Sequence, residues 1–445
     1  MSSADDAPPS DDQLLRACRA AARRRLRQHV AAIVRHVRAP LSAVLRDHAL
    51  VHLPPAAAAR LRAVHPSWAR AVASPLFAVA HAAAPRRVSG LFLATGPGPS
   101  SFLHLDGADT LPSPPLAFLP ASAPPAVRVL SSTRGLACCF SPADDAYFVC
   151  NPATEAWAPV PYPPCRAARP RPALVVLFAA DLYNFRGDYA LVCAFEPAPG
   201  AGAYCFAVFA SGAGEWWVAD ALAPAEGLLP ATGVAAGGTA WWRTAIGTAV
   251  GYCPATGRVH LAVCPGDSAR WEIGAAGDTL HCAVRADGDV VVVFRLGRHG
   301  GWEEAATVSV AEILQHGRPW QPPSPAYHEP SDSEAEADQQ ERRTGAIVAA
   351  ENRAVRMPGD DVRLLPFQGA GVEVLALAGR RVVAFDTVTR RRREAVLPDE
   401  PAGKDWAAAE YAAHTNTLVL LAPVALMDPP DHDHDHDHDQ QVVAP

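Results

Sequence analysis

After residue 86 one small pattern keeps returning: a short apolar run, a polar turn, then a second short run. "AYFVCNPATEAWAPVP", "YCFAVFASGAGEWWVAD", "AVGYCPATGRVHLAVC", "DVVVVFRLGRHGGWEEA" and "RVVAFDTVTRRRREAVL" are its instances. Asn151-Pro152 opens the first turn and Trp157 follows it. The turns near residues 212, 255 and 298 are spaced by a little over forty residues. Four-stranded propeller blades repeat every roughly 40–50 residues. The spacing therefore predicts a β-propeller, with longer intervals marking degenerate blades or insertions. A sandwich of hairpins is the alternative. Proline, at 43 residues, is nearly twice as frequent as usual, which favours turns and edges over long helices.

The chain begins differently. Residues 10–37 read as an amphipathic helix, with Ser10 and Gln13 as a capping box. Leu15, Cys18, Ala22, Leu26, Val30, Ile33 and Val37 make one apolar stripe. "RRRLR" in this helix matches a nuclear-import or nucleic-acid patch, but no aromatic residues interleave with its arginines, so a solvated basic face is expected. From Pro40 to His81, prolines break the chain into short helices. Pro66 suits a first helical turn, and Ser74-Pro75 ends that helix. Leu61, Val64, Trp68 and Val72 align as an apolar stripe. A unit of about forty residues is small for an independent core.

With 49% hydrophobic and 19% charged residues, a chain of 445 residues has ample material for one small and one large domain. The net charge of −7 gives no overall attraction to nucleic acid. The start is too polar for a signal peptide, and the apolar run "TLVLLAPVALM" is too short to cross a bilayer. The cysteines show no C-x-x-C pair. Adjacent Cys138 and Cys139 are expected on opposite faces of one strand, as packing residues. A reduced protein of the cytoplasm and/or nucleus is expected.

No G-x-S-x-G elbow, phosphate-cradling loop or H-E-x-x-H pair occurs, so no catalytic residue and no cofactor is expected. His432, His434, His436 and His438 alternate with aspartates at the C-terminus. They are expected to bind metal only weakly and adventitiously, because nothing there would bury them. Residues 330–343 form an acidic, apolar-poor loop read as disordered. Its Ser331 and Ser333 are candidate acceptors for an acidophilic kinase.

Residues 41–81 resemble the F-box of plant F-box proteins. The resemblance rests on Leu53-Pro54, Arg60, Leu61, Arg62, Val64, Ser67-Trp68, Ser74-Pro75-x-Phe77 and His81. Ser42, Ala49, Ala58 and His65 depart from the family pattern. "RGLACC", "NPATEAW" and "GGTAWW" are similar to strands of the F-box-associated β domain, as is the strand after Asn416. The resemblance implies docking on a Skp-type adaptor of a cullin–RING ubiquitin ligase. The adaptor face would be formed by Leu41, Leu45, Leu50, Leu53, Pro54, Leu61, Val64, Trp68, Val72 and Phe77, with Trp68 inclined toward the core. The β domain would capture a protein substrate whose identity the sequence does not give.

The expected fold is thus an α+β multidomain chain, with a small three-helix F-box-like unit before a large all-β, propeller-type domain. Its parts are a basic helix with a disordered start (1–38), the F-box-like unit (39–85), the F-box-associated β domain (86–425) and a disordered tail (426–445). The expected partners are the adaptor and a substrate, with neither nucleic acid nor membrane. Lys404 is the sole lysine, so the chain offers few acceptors for its own ubiquitination. A propeller scaffold without adaptor contact, or a carbohydrate-binding or -processing propeller, are the alternatives.

Overall fold

Prolines punctuate the N-terminal helices where their missing N–H groups cost nothing. Leu45–Ala49 is a π-helical turn and Leu50–His52 a 3-10 turn. Leu53 is then extended, as a residue before proline must be. Three α-helices follow: α1 (Pro55–Leu61), α2 (Pro66–Val72) and α3 (Pro75–Ala83). His65 caps α2 by accepting from the Ser67 amide at 3.1 Å. The computed structural model describes residues 44–95, 98–105, 111, 116–120, 127–164, 173–181, 183–198, 200–266, 270–287, 289–314, 362–398, 406 and 408–423.

The chain divides into two compact units. One comprises the helical residues up to Leu53 and Ala57–Ala73, the other Pro54–Ala56 and everything from Ser74. By compactness, then, α3 belongs with the β-rich unit, whereas the sequence groups it with the other two helices. The reason is burial. Phe77 and His81 are 8% and 0% exposed, and Ala82 joins a core formed by Leu130, Leu136, Leu174 and Val419.

The β-rich unit is a six-bladed propeller. β1 (Gly90–Ala94) and β2 (Ser101–His104) begin blade one. Blade two holds β3 (Arg128–Thr133), β4 (Leu136–Ser141), β5 (Ala146–Asn151) and β6 (Ala156–Val160). Blade three holds β7 (Ala173–Leu177), β8 (Ala190–Phe195), β9 (Ala203–Ala210) and β10 (Glu215–Pro224). Blade four holds β11 (Val234–Ala236), β12 (Thr239–Arg243), β13 (Thr248–Cys253) and β14 (Arg258–Val263). Blade five holds β15 (Trp271–Ala276), β16 (Thr279–Ala286), β17 (Val290–Leu296) and β18 (Trp302–Ser309), followed by the short helix α4 (Val310–Leu314). In blade six, β19 (Val362–Leu365) pairs with β21 (Glu373–Ala378), then β22 (Arg381–Asp386) and β23 (Arg392–Val396). The intervening β20 (Phe367–Gly369) crosses to pair in parallel with β15.

The last strand, β24 (Glu410–His414), returns to pair antiparallel with β1, in the register Leu91 opposite Ala413. The ring is therefore closed by main-chain hydrogen bonds between the two ends of the propeller, which removes a free inner edge. A second clasp lies beside it. Glu373 holds Arg393 with both carboxylate oxygens at 2.8 Å and accepts from the Val88 amide at 3.2 Å.

The repeated turns of the sequence are one structural position. Those near 212, 255 and 298 join the third and fourth strands of blades three, four and five. The core lies between blades, in clusters that join blades two and three, three and four, and four and five. Cys138 and Cys139 fall into different clusters, on opposite faces of β4. Two tryptophans tie outer strands together. Trp216 Nε1 donates to the Pro161 carbonyl at 2.8 Å and Trp302 Nε1 to the Val263 carbonyl at 2.7 Å.

Candidate functional site

Two regions qualify as sites; of the residues expected on the adaptor face, Pro54 and Phe77 fall in the β-rich unit. In the helical unit Leu50 is buried, with 2% exposure. Leu53, Leu61, Trp68 and Val72 are half-buried, while Leu45 and Val64 are exposed. Pro54 is exposed, and Phe77 is buried in the propeller unit. Ala58, where the family pattern has a larger residue, is fully buried. Leu41, Ser331, Ser333, Lys404, the four tail histidines, the basic helix and the acidic loop lie outside the described residues. Among the described residues there is no group of three or more His, Cys, Asp or Glu side chains placed to hold a metal ion. Nor is any helix among them long and apolar enough to cross a membrane.

The second region is the mouth of the propeller channel, a cavity of about 1020 Å³. It is walled by the turn at Thr133-Arg134, the 177–190 connection, turns at Gly237-Gly238 and Gly277-Asp278, and Gln368–Ala370. The C-terminal end of α3 and Thr415 and Thr417 complete it. The wall is laced together. Gly277 N donates to Gly369 O at 2.7 Å, and Ala370 N to Arg86 O at 2.7 Å. Arg134 bridges two parts of the rim, from Nη1 to Ala82 O at 3.1 Å and from Nη2 to Asp278 Oδ1 at 2.6 Å. Arg86 Nε donates to His81 O at 2.9 Å. Both arginines thus serve the open carbonyls at the end of α3, where positive charge is favourable. Burial lowers the Arg86 guanidinium to a pKa of about 10.

The connection between β7 and β8 is pinned by its own side chains. Asp181 Oδ1 accepts from the amides of Tyr183 and Asn184 at 2.8 and 3.1 Å. Asn184 donates to Ala179 O and Asp188 O at 2.9 and 2.8 Å, and accepts from Asp188 N at 2.7 Å. This fixed loop displays Tyr183 at 92% and Phe185 at 51% exposure. In the sequence, "DLYNFRGD" matches no strand, helix or catalytic motif. Its signal was the Asp and Asn at turn positions, flanked by aromatics.

The segment after β24 runs along the same face. Asn151 Nδ2 donates to the carbonyls of Thr417 and Val419, Leu418 N donates to His81 Nδ1 at 3.2 Å, and Ala422 N donates to Gly187 O. Thr417 Oγ1 donates to Arg134 O at 2.7 Å. The motif residue Asn151 is therefore a grip on this segment, and Gly135 leaves the space that Thr417 Oγ1 occupies. His414, just before it, is fully buried with Nδ1 2.7 Å from Ser132 Oγ. Burial lowers its pKa to about 4.

Of the two adjacent tryptophan pairs, 216–217 and 241–242, Trp241 and Trp242 are both core. Trp241 lies flat on Gly251, where a Cβ would meet its ring at 2.6 Å. Trp216 is the interblade tether, and Trp217 remains 45% exposed.

No protein-family model and no curated protein matches the chain. Among solved structures it is similar to the β-propeller domain of Nup133 from Vanderwaltozyma polyspora, at 8% identity and a TM-score of 0.30. The match covers 60% of this chain and 66% of that one, so the chain spans just under two thirds of that domain's length. The six blades are established by the strand pairing itself.

Proposed function

We propose that this protein is a non-catalytic substrate receptor of a cullin–RING ubiquitin ligase, in the cytoplasm and/or nucleus. Its helical unit docks on a Skp-type adaptor and its propeller captures a protein substrate. The propeller supports the coarser part of this reading: rigid blades carry loops that frame a channel mouth, an arrangement suited to a protein-binding scaffold.

The observation that supports the finer part is the openness of most of the described apolar positions that the resemblance implies for the adaptor face. Val64 is 62% and Leu45 39% exposed, Pro54 is exposed, and Leu53, Leu61, Trp68 and Val72 are only half-buried. A stripe serving only as internal core would hide these side chains. A partner that covers them gains about 1.5–3 kcal/mol for each large one fully buried.

The test is a titration of purified protein with a Skp-type adaptor, beside Val64→Glu and Leu53→Ala/Pro54→Ala variants. Binding that weakens at least tenfold in both variants supports the reading. Absence of binding by a folded wild-type protein sinks it and leaves a propeller scaffold without a ligase role.

A further inference from the structure

We propose that the channel mouth binds a cationic side chain, arginine or lysine, presented on an extended segment of a protein partner. This rests on the receptor reading and names the chemistry that the receptor selects.

The first ground is shape. The cavity of about 1020 Å³ is walled largely by small residues, among them Ala179, Ala180, Ala235 and Ala275. Such walls admit a long, unbranched stem and meet its methylenes with methyl groups.

The second is charge. Arg86, Arg134, Asp181, Asp188 and Asp278 are the charged residues among those described around the cavity. Arg86 and the Nη1 of Arg134 are turned to the carbonyls that end α3. The Nη2 of Arg134 engages one oxygen of Asp278 at 2.6 Å, and the Arg134 side chain is only 23% exposed. Three carboxylates against two guanidiniums leave one net negative charge. Two of the three acids are more open. Asp278 is 78% exposed, and Asp181 is exposed with only its Oδ1 engaged by the loop amides. What a partner meets first at this rim is negative charge.

The third is unmet hydrogen-bonding capacity. Tyr189 and Thr415, 4% and 6% exposed, line the same cavity. Neither hydroxyl has a hydrogen-bond partner among the described residues, and the same is true of Asp188 Oδ1. Carboxylates and hydroxyls all accept, and guanidinium and ammonium groups only donate. Tyr183, held out at the mouth by the pinned loop, offers a ring face to the same cation.

The test uses the full chain and a fluorescein-labelled nonapeptide of alternating alanine and arginine, with a glutamate counterpart. Polarisation should rise with the arginine peptide and not with the glutamate one. Asp181→Asn/Asp278→Asn should weaken binding at least tenfold, since asparagine still accepts the loop amides through Oδ1. Glu215→Gln/Asp220→Asn, with the same charge loss on β10, should leave it unchanged. Equal binding of the two peptides, or equal loss in both double variants, overturns the proposal. Each variant is checked for an unchanged melting temperature and for adaptor binding. Lost adaptor binding with arginine-peptide binding intact sinks the ligase reading and leaves the channel assignment standing.

Discussion

Asn151 and Val419, 268 residues apart in the chain, are joined by a hydrogen bond of 2.8 Å from the Asn151 side-chain amide to the Val419 carbonyl. The same amide reaches Thr417 O at 3.1 Å, and Asn151 Oδ1 accepts from Ala153 N at 3.0 Å. One side chain thus shapes a hairpin turn of blade two and fastens the segment that follows the closing strand. That segment in turn donates to His81 on α3.

Asn151→Ala should therefore destabilise the propeller more than an average core substitution. It leaves two buried carbonyls and an amide without their partner, at about 1–3 kcal/mol for an unmet group. Urea denaturation should show a loss of at least about 2 kcal/mol. A loss of only a few tenths would mean that water replaces the clamp.

Gly135 has φ of +97°, and a Cβ there would collide with Thr417 Oγ1. Gly238 also has positive φ, +72°, but open space around it. Gly135→Ala should cost more than about 2 kcal/mol and Gly238→Ala about 1 kcal/mol. Melting temperatures of the two variants would show whether the collision adds to the backbone strain.

His414 gives the propeller an acid limit. Its folded pKa, about 4, lies below the ordinary value of 6.5 because burial disfavours the charged ring. The stability tied to the neutral ring is present above pH 6.5 and is lost as pH falls toward 4, by a total on the order of 3 kcal/mol. Stability measured from pH 7 to 4 should fall less steeply in His414→Gln than in the wild type. Parallel curves would refute this assignment. Glu272 acts in the opposite sense. Burial raises its pKa, despite Arg243 Nε at 3.1 Å, so its contribution is present at low pH and declines as pH rises through that value.

Glu373→Gln removes the charge that holds Arg393, whose side chain is 15% exposed, and weakens the clasp on Val88. Removing one partner of a buried pair costs about 3–5 kcal/mol. The loss should appear in denaturant unfolding and be smaller in Glu373→Gln/Arg393→Met, where no charge is stranded.

The strand–turn–strand repeat is legible locally, because the turn between the third and fourth strands is encoded in Gly, Asn-Pro and Pro-Ala-Thr. The proline-started helices and the opposite faces of Cys138 and Cys139 are legible in the same way, since they follow from backbone geometry alone. The remaining features each need a partner distant in the chain. No local pattern assigns α3 to the propeller, since Ala82 packs in a cluster with Leu136 and His81 accepts from the Leu418 amide. Nor does one make both Trp241 and Trp242 core, because Gly251 on the neighbouring strand opens the space for a ring. The channel mouth is the extreme case. Arg134, Asp278 and Thr417 are polar residues of ordinary turns in the sequence, and only the closing of the ring brings them to one rim.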